Sequence, residues 1–220
     1  MFMTAFVAVL GAYLIGSINF AVIFTKIFAH TDVRNFGSGN AGTTNVMRVG
    51  GMKPGILTFV FDALKGFVAC FVGKMLFEYI FTQTLSQWSM PIYGAYICGL
   101  ACMLGHVFPI FFGFKGGKGV ATSVGIFAVC CPWAIIIGLS VFALLVFITQ
   151  TVSISSLSAT IVVVVMSMAL YSDDNGALFW PQALLAVAMG VIVYCKHIEN
   201  IKRIIAGEEK KLNIRRNKNV

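Results

Sequence analysis

From Phe2 to Phe24 the chain carries no charged residue, and from Gly119 to Cys195 it carries no Lys or Arg. Stretches this long and apolar can lie across a bilayer, whose hydrocarbon core takes about 20 helical residues to cross. Composition agrees: 59% of the residues are hydrophobic, 11% are charged and the mean hydropathy is +0.90, too apolar for an ordinary soluble domain. The chain therefore reads as a polytopic integral membrane protein. Its first segment has neither a basic start nor a convincing small-residue cleavage site, so it is expected to stay as the first transmembrane helix.

A net charge of +8 would suit nucleic acid, but the basic residues sit at the ends of apolar segments, not among aromatics on a soluble face. Topology accounts for them. Lys26, Arg34, Arg48 and Lys53 follow the first segment, Lys115 and Lys118 follow the third, and eight more fall between Lys196 and Lys218. Asp173 and Asp174 mark a loop expected to face outward. The positive-inside rule then puts the basic regions in the cytoplasm and the N-terminus outside.

The first three spans read as Phe2–Phe24, Gly55–Phe81 and Pro91–Phe112, with an outer turn at Thr82–Ser89. Lys118 and Lys196 on one side require an even number of crossings between them. Val120–Cys130, Trp133–Ile148, Leu157–Tyr171 and Pro181–Cys195 supply four, separated in part by a serine-rich joint at Ser153–Ser156. The expected fold is all-α, a bundle of seven transmembrane helices, some of them short, with five as the fallback count and the C-terminus in the cytoplasm. Residues 1–206 form the membrane unit and 207–220 a basic, solvated tail within reach of anionic lipid. The six cysteines lie within or at the ends of apolar segments and read as buried, reduced thiols. Neither HExxH nor a cysteine–histidine cluster is present, so no metal site is expected.

Two polar, glycine-rich stretches interrupt this background. Gly37-Ser38-Gly39-Asn40-Ala41-Gly42-Thr43-Thr44-Asn45 is closed by Arg48, and Gly113-Phe114-Lys115-Gly116-Gly117-Lys118-Gly119 follows about seventy residues later. Glycine lets backbone N–H groups turn inward, hydroxyls and amides add donors, and arginine can grip a phosphate with two parallel hydrogen bonds. Both loops read as anion holders on the cytoplasmic side, which suggests two phosphorylated ligands. Ser38 and Asn40 are the best hydrogen-bonding side chains of the first loop, and Arg48 is its charge clamp. In the second, Gly116 and Gly117 offer backbone donors beside Lys115 and Lys118. It is not a nucleotide P-loop, because Gly119 follows Lys118 where Ser or Thr is needed and no strand precedes it.

Asp62 and Lys65, three residues apart in the second span, are expected to face one another, since unpaired ions inside a membrane are costly. Whether they serve structure or ligand is open. His106 reads more as a packing residue than as a catalyst, and its direct or structural role is likewise open. His197, Asn200 and Arg203 or Lys202 follow one another at near-helical spacing, which sets an imidazole, an amide and a cation on neighbouring faces.

Taken together, the first loop with Val46-Met47-Arg48, Phe61-Asp62-Ala63-Leu64-Lys65-Gly66, Gly105-His106, Phe112 to Thr122, and His197-Ile198-Glu199-Asn200-Ile201-Lys202-Arg203 resemble the bacterial acyl-phosphate-dependent glycerol-3-phosphate acyltransferases. Order and spacing agree over nearly the whole chain. The resemblance implies an integral enzyme of the bacterial cytoplasmic (inner) membrane with its site on the cytoplasmic face. It would move a fatty acyl group from acyl phosphate to the 1-hydroxyl of sn-glycerol 3-phosphate, giving lysophosphatidate and inorganic phosphate, as a monomer without a cofactor. Carried onto these positions, Ser38, Asn40, His197 and Asn200 would be catalytic. Gly39, Thr43, Asn45, Arg48, Lys115, Gly116, Gly117, Lys118, Ser153 and Arg203 would hold substrate and phosphate. Ala41 replaces a proline common in the family, and Ile204-Ile205 replace leucines. An acyl phosphate is already activated, so no acyl-enzyme is expected. A Ser38 nucleophile activated by His197 ranks lower. The rival class is a transporter for an organic phosphate, which short helices and inward cations would also serve.

Overall fold

The computed structural model describes residues 2–84, 91–170 and 180–212. The acidic loop at Asp173 and Asp174, most of the turn expected at Thr82–Ser89, and residues 213–220 of the tail lie outside them. Among the described residues the chain is helical throughout and has no strand: α1 (Phe2–Gly16), α2 (Phe20–Ala29), α3 (Thr43–Gly50), α4 (Met52–Thr84), α5 (Pro91–Val107), α6 (Val120–Cys130), α7 (Pro132–Thr149), α8 (Val152–Ala169), α9 (Trp180–Lys196) and α10 (Ile198–Ile205).

Among the described residues, Phe2–Ala29, Met52–Ile80, Pro91–Phe112, Pro132–Thr149 and Val152–Ala169 are each long and apolar enough to cross a membrane. A sixth crossing follows if α9 is taken with α10 across a 59° bend. All seven expected segments are helical, but α6 has 11 residues, a rise of about 16 Å against a core of about 30 Å.

Three boundaries differ from expectation. The first segment is two helices, because Ser17 turns its hydroxyl back onto the Tyr13 carbonyl (2.9 Å) and Asn19 caps α2 by accepting the Val22 N–H (3.2 Å). The first glycine-rich loop ends at Gly42, so Thr43, Asn45 and Arg48 belong to α3. The serine joint does not exist as a joint: α8 begins at Val152, and Ser153–Ser156 form its first turns. Serine favours loops when its hydroxyl competes with the backbone, yet Ser155 bonds back to the Thr151 carbonyl (3.0 Å) and stays helical.

The polarity of the bundle is reversed from that of a soluble protein. Phe2, Phe6, Trp133, Phe147 and Leu184 point outward, while Asp62, Lys65, His106, His197 and Asn200 are buried. α4 lies against α1, α2, α3, α5 and α6. Its crossing with α6 is close because Gly125 rests on the Ala63 carbonyl, where any Cβ would overlap the oxygen. Behind the crossing, Met103, Ile126, Phe127, Met189 and Val193 form the main apolar core between α5, α6 and α9.

The break between α1 and α2 frees the Ile18 carbonyl inside the bundle, and Lys65 of α4 meets it at 2.7 Å. The same ammonium lies 2.7 Å from Asp62 and 3.0 Å from His106 Nδ1. A carbonyl, a carboxylate and an imidazole thus surround one ammonium, which is how a buried lysine becomes tolerable in an apolar bundle.

Candidate active site

The buried ions stand directly behind a cavity of about 590 Å³. Its wall comes from seven places: the loop at residues 37–42 with α3, the first turns of α4, His106 near the end of α5, Lys118–Ala121, the α7–α8 corner, the α9–α10 junction, and residues 209–212. Ile56, Phe59, Phe142 and Val146 give it apolar lining, and Arg48, Lys118 and Arg203 give it charge, with both arginines close enough to act on Lys118.

The first loop is shaped from within by Asn45. Its Oδ1 accepts the Ser38 N–H (2.9 Å), and its Nδ2 donates to the carbonyls of Val33 and Phe36 (3.0 Å each). The side chain is therefore occupied by backbone and buried, although it also lines the cavity. Ser38 and Asn40 keep their side chains at the cavity wall. Asp32 accepts from the Arg34 N–H, Nε and Nη2, and Arg34 Nη1 donates to the Phe112 carbonyl (2.8 Å), fastening the first loop to the second.

The second loop does less with its backbone than expected. The Gly117 N–H donates to the His106 carbonyl (3.2 Å), and the residue lies so close over the His106 ring and the Ala41 carbonyl that a Cβ would overlap both. Gly117 is thus a packing contact between His106 and the first loop, and its N–H is directed away from any ligand. Among the expected binding residues, Gly39, Lys115, Gly116 and Gly117 are not in the cavity wall, and Lys115 is exposed. Lys118 is in the wall. Its ammonium donates to Asn200 Oδ1, and burial, opposed by Glu209 and reinforced by Arg203, Arg48 and Lys196, brings its pKa down to about 8.

At the bend after α9, His197 is buried and its Nδ1 donates to the Val193 carbonyl at 2.8 Å. A carbonyl can only accept, so the proton of the neutral ring is on Nδ1 and Nε2 is left as an acceptor. Burial, with the charge of Lys118, brings the pKa down to about 4, and the imidazole is neutral near pH 7. Three residues on, Asn200 Nδ2 donates to Glu209 Oε1 (2.6 Å). The same oxygen accepts from Ser153 Oγ (2.8 Å), and Arg203 Nε donates to Oε2 (2.8 Å). Burial alone would raise the Glu209 pKa. The hydrogen bonds from Arg203, Asn200 and Ser153 outweigh it and hold the carboxyl below its ordinary value.

Ser38, Asn40, Thr43, Asn45, Arg48, Lys118, Ser153, His197, Asn200 and Arg203 therefore come together around one cavity, from positions up to 165 residues apart. Sequence reasoning missed Glu209, Lys210 and Leu212, which it assigned to a solvated tail. A usable signal was the Glu208-Glu209 pair directly after Gly207 in an otherwise basic segment. It also left Asp62 and His106 undecided, and both reach the wall. Among the described residues no group of three or more His, Cys, Asp or Glu is placed to hold a metal ion. A largely apolar pocket that also carries neutral hydrogen-bonding groups and a cluster of cations suits an amphiphile carrying phosphate.

The comparisons point the same way. Residues 6–207 match the family model described as glycerol-3-phosphate acyltransferase. A glycerol-3-phosphate acyltransferase of Anaeromyxobacter dehalogenans (strain 2CP-C) is 40% identical over 94% of this chain and 96% of its own length. Glycerol-3-phosphate acyltransferase 2 of Bacillus anthracis is 39% identical over 91% and 95%. The crystal structure of PlsY, an integral membrane glycerol 3-phosphate acyltransferase, in its glycerol 3-phosphate form, superposes with a TM-score of 0.78 at 34% identity, covering 94% of each chain. Its lysophosphatidic acid form gives 0.76 at 32%. With this agreement along nearly its whole length, the chain belongs to the glycerol-3-phosphate acyltransferase family, and it is an integral membrane enzyme.

Proposed function

We propose that the chain transfers a fatty acyl group from acyl phosphate to the 1-hydroxyl of sn-glycerol 3-phosphate, releasing lysophosphatidate and inorganic phosphate. The observation that carries this reading is one cavity lined both by apolar side chains and by a cluster of cations, Arg48, Lys118 and Arg203. A long acyl chain fits the first and two phosphates fit the second. In this reading Arg48, Lys118 and Arg203 hold phosphate, with Thr43 as a neutral donor beside them, while the Ser153 hydroxyl is given to Glu209. Ser38 and Asn40 stand at the reacting carbonyl, where their donors stabilise the negative charge that develops on its oxygen. Neutral His197 accepts a hydrogen bond from the glycerol hydroxyl and aims it. The hydroxyl oxygen forms the new C–O bond to the acyl carbon, the bond from that carbon to the phosphate oxygen breaks, and the electron pair and the hydroxyl proton leave with the phosphate. No acyl-enzyme is needed, because the anhydride is already activated.

The same reading sets the molecule in a bacterial cytoplasmic membrane as a monomer. The seven apolar segments are its crossings, with α9 ending at Lys196. The N-terminus is outside, and the loops at 37–42 and 113–119, the α7–α8 corner and the chain from His197 onward are cytoplasmic. The distribution of Lys and Arg supports this orientation. The test is to give the purified protein acyl phosphate, acyl-CoA or acyl carrier protein in parallel. Lysophosphatidate and phosphate that form only with acyl phosphate and glycerol 3-phosphate together support the proposal. No product with acyl phosphate, or equal use of the thioesters, contradicts it.

A further inference from the structure

The residues after α10 are bound into the site. Leu212 N–H donates to the Gln150 carbonyl at the α7–α8 corner (2.6 Å), Arg48 Nη2 donates to the Lys210 carbonyl (3.4 Å), and Lys210 Nζ donates to the Gly37 carbonyl (3.5 Å). Just before these anchors Glu209 is turned into the cavity wall, whereas Glu208 beside it is exposed and outside the wall.

We propose that Glu209 is a positioning residue for the acyl transfer: it fixes the amide of Asn200 so that the amide oxygen holds the Lys118 ammonium in the cavity. The argument begins with the polarity of an amide. An ammonium only donates, so Asn200 must offer its oxygen to Lys118 and its NH₂ must find an acceptor on the opposite side. Glu209 Oε1 is that acceptor, at 2.6 Å, and as a carboxylate it has no donor with which to favour the flipped amide. Ser153 of α8 and Arg203 of α10 hold the carboxylate in turn, so one group ties α8, α10 and, through Asn200, Lys118 ahead of α6 into a fixed arrangement. The charged and titratable groups that face Lys118 are Arg48 from α3, Lys196 and His197 at the end of α9, Arg203 from α10, and Glu209. Glu209 is the acid in this set, and it opposes three cations that drive the Lys118 proton off.

The inference rests on the acyl-transfer reading, since transfer supplies the readout. Rates with acyl phosphate and glycerol 3-phosphate are measured against pH for the full chain and for Glu208→Gln, Glu209→Gln, Asn200→Asp, and Asn200→Asp with Glu209→Gln. Glu208→Gln behaves as the unsubstituted protein. Glu209→Gln loses about tenfold or more in kcat/KM, and its alkaline limb moves to lower pH because Lys118 loses its opposing charge. Asn200→Asp sets two carboxylates against each other and loses activity. Adding Glu209→Gln restores a donor–acceptor pair with its polarity exchanged and recovers about tenfold of that loss. This exchange remains readable if Glu209→Gln alone does not fold. An unmoved alkaline limb in Glu209→Gln, no recovery in the exchange, or a lower KM for glycerol 3-phosphate in Glu209→Gln would overturn the proposal. The last result would mean that the carboxylate only stands where a phosphate binds. An unsubstituted protein without acyl transfer defeats the functional reading itself, and is distinct from an active one whose variants follow none of this pattern.

Discussion

Asn45 shows how one side chain can shape a site without serving a ligand. Its amide closes three backbone hydrogen bonds around the first loop, and Asn45→Ala would leave the Ser38 N–H unpaired and take one of two donors from each of the carbonyls of Val33 and Phe36. Thermal unfolding in detergent should register a loss of about 2 kcal/mol, with transfer reduced as Ser38 leaves its place. Two neighbouring groups set a pH window. Lys118 titrates at about 8, so the KM for glycerol 3-phosphate should rise as pH passes that value and the ammonium is lost. His197 titrates at about 4, so it stays a hydrogen-bond acceptor throughout the neutral range and gains its proton only near that value. The enzyme should therefore contribute no acid limb between pH 5 and 7. The second ionisation of a phosphate ester, at about 6, is the substrates' own. A rate profile normalised for substrate ionisation tests both statements.

At the scale of elements, the helix break at residues 17–19 and the ions of α4 depend on one another. The freed Ile18 carbonyl needs a donor, and Lys65 supplies it while neutralising Asp62. Lys65→Met should cost about 3–5 kcal/mol, because it strands a buried carboxylate. Lys65→Met with Asp62→Asn should cost less, since both charges are then gone, and unfolding of the two variants side by side gives the comparison. The i,i+3 spacing made the Asp62–Lys65 pair legible in the sequence. The helix break was not, because Ser17 and Asn19 lie in a segment whose hydropathy stays high across them. The start of α8 was misread for the opposite reason. Four polar residues in succession looked like a joint, and only their packing shows that Ser153 faces the cavity from within a helix.

For the whole molecule, apolar segments and their polar interruptions were enough to read an all-helical membrane protein, and the ordered motifs were enough to read a glycerol-3-phosphate acyltransferase. Hydropathy could not settle the number of crossings, because α6 is short and α9 reaches full length only with the bent α10. The cationic side chains of the site were legible because a charge beside an apolar segment needs a reason. Glu209 was not, because an acid among lysines near the end of a chain looks solvated until Ser153 is found 56 residues earlier and 2.8 Å away. The packing of Gly117 on His106 was not legible, because a glycine that admits a phosphate and one that admits a histidine ring look alike in sequence. The central claim is that Ser38 and Lys118 stabilise the transition state of acyl transfer in a single cavity. Its most direct test is kcat/KM with acyl phosphate and glycerol 3-phosphate for Ser38→Ala and Lys118→Ala. A loss of about 100-fold or more in each is the expected result, and losses below about 3-fold in both would contradict the account.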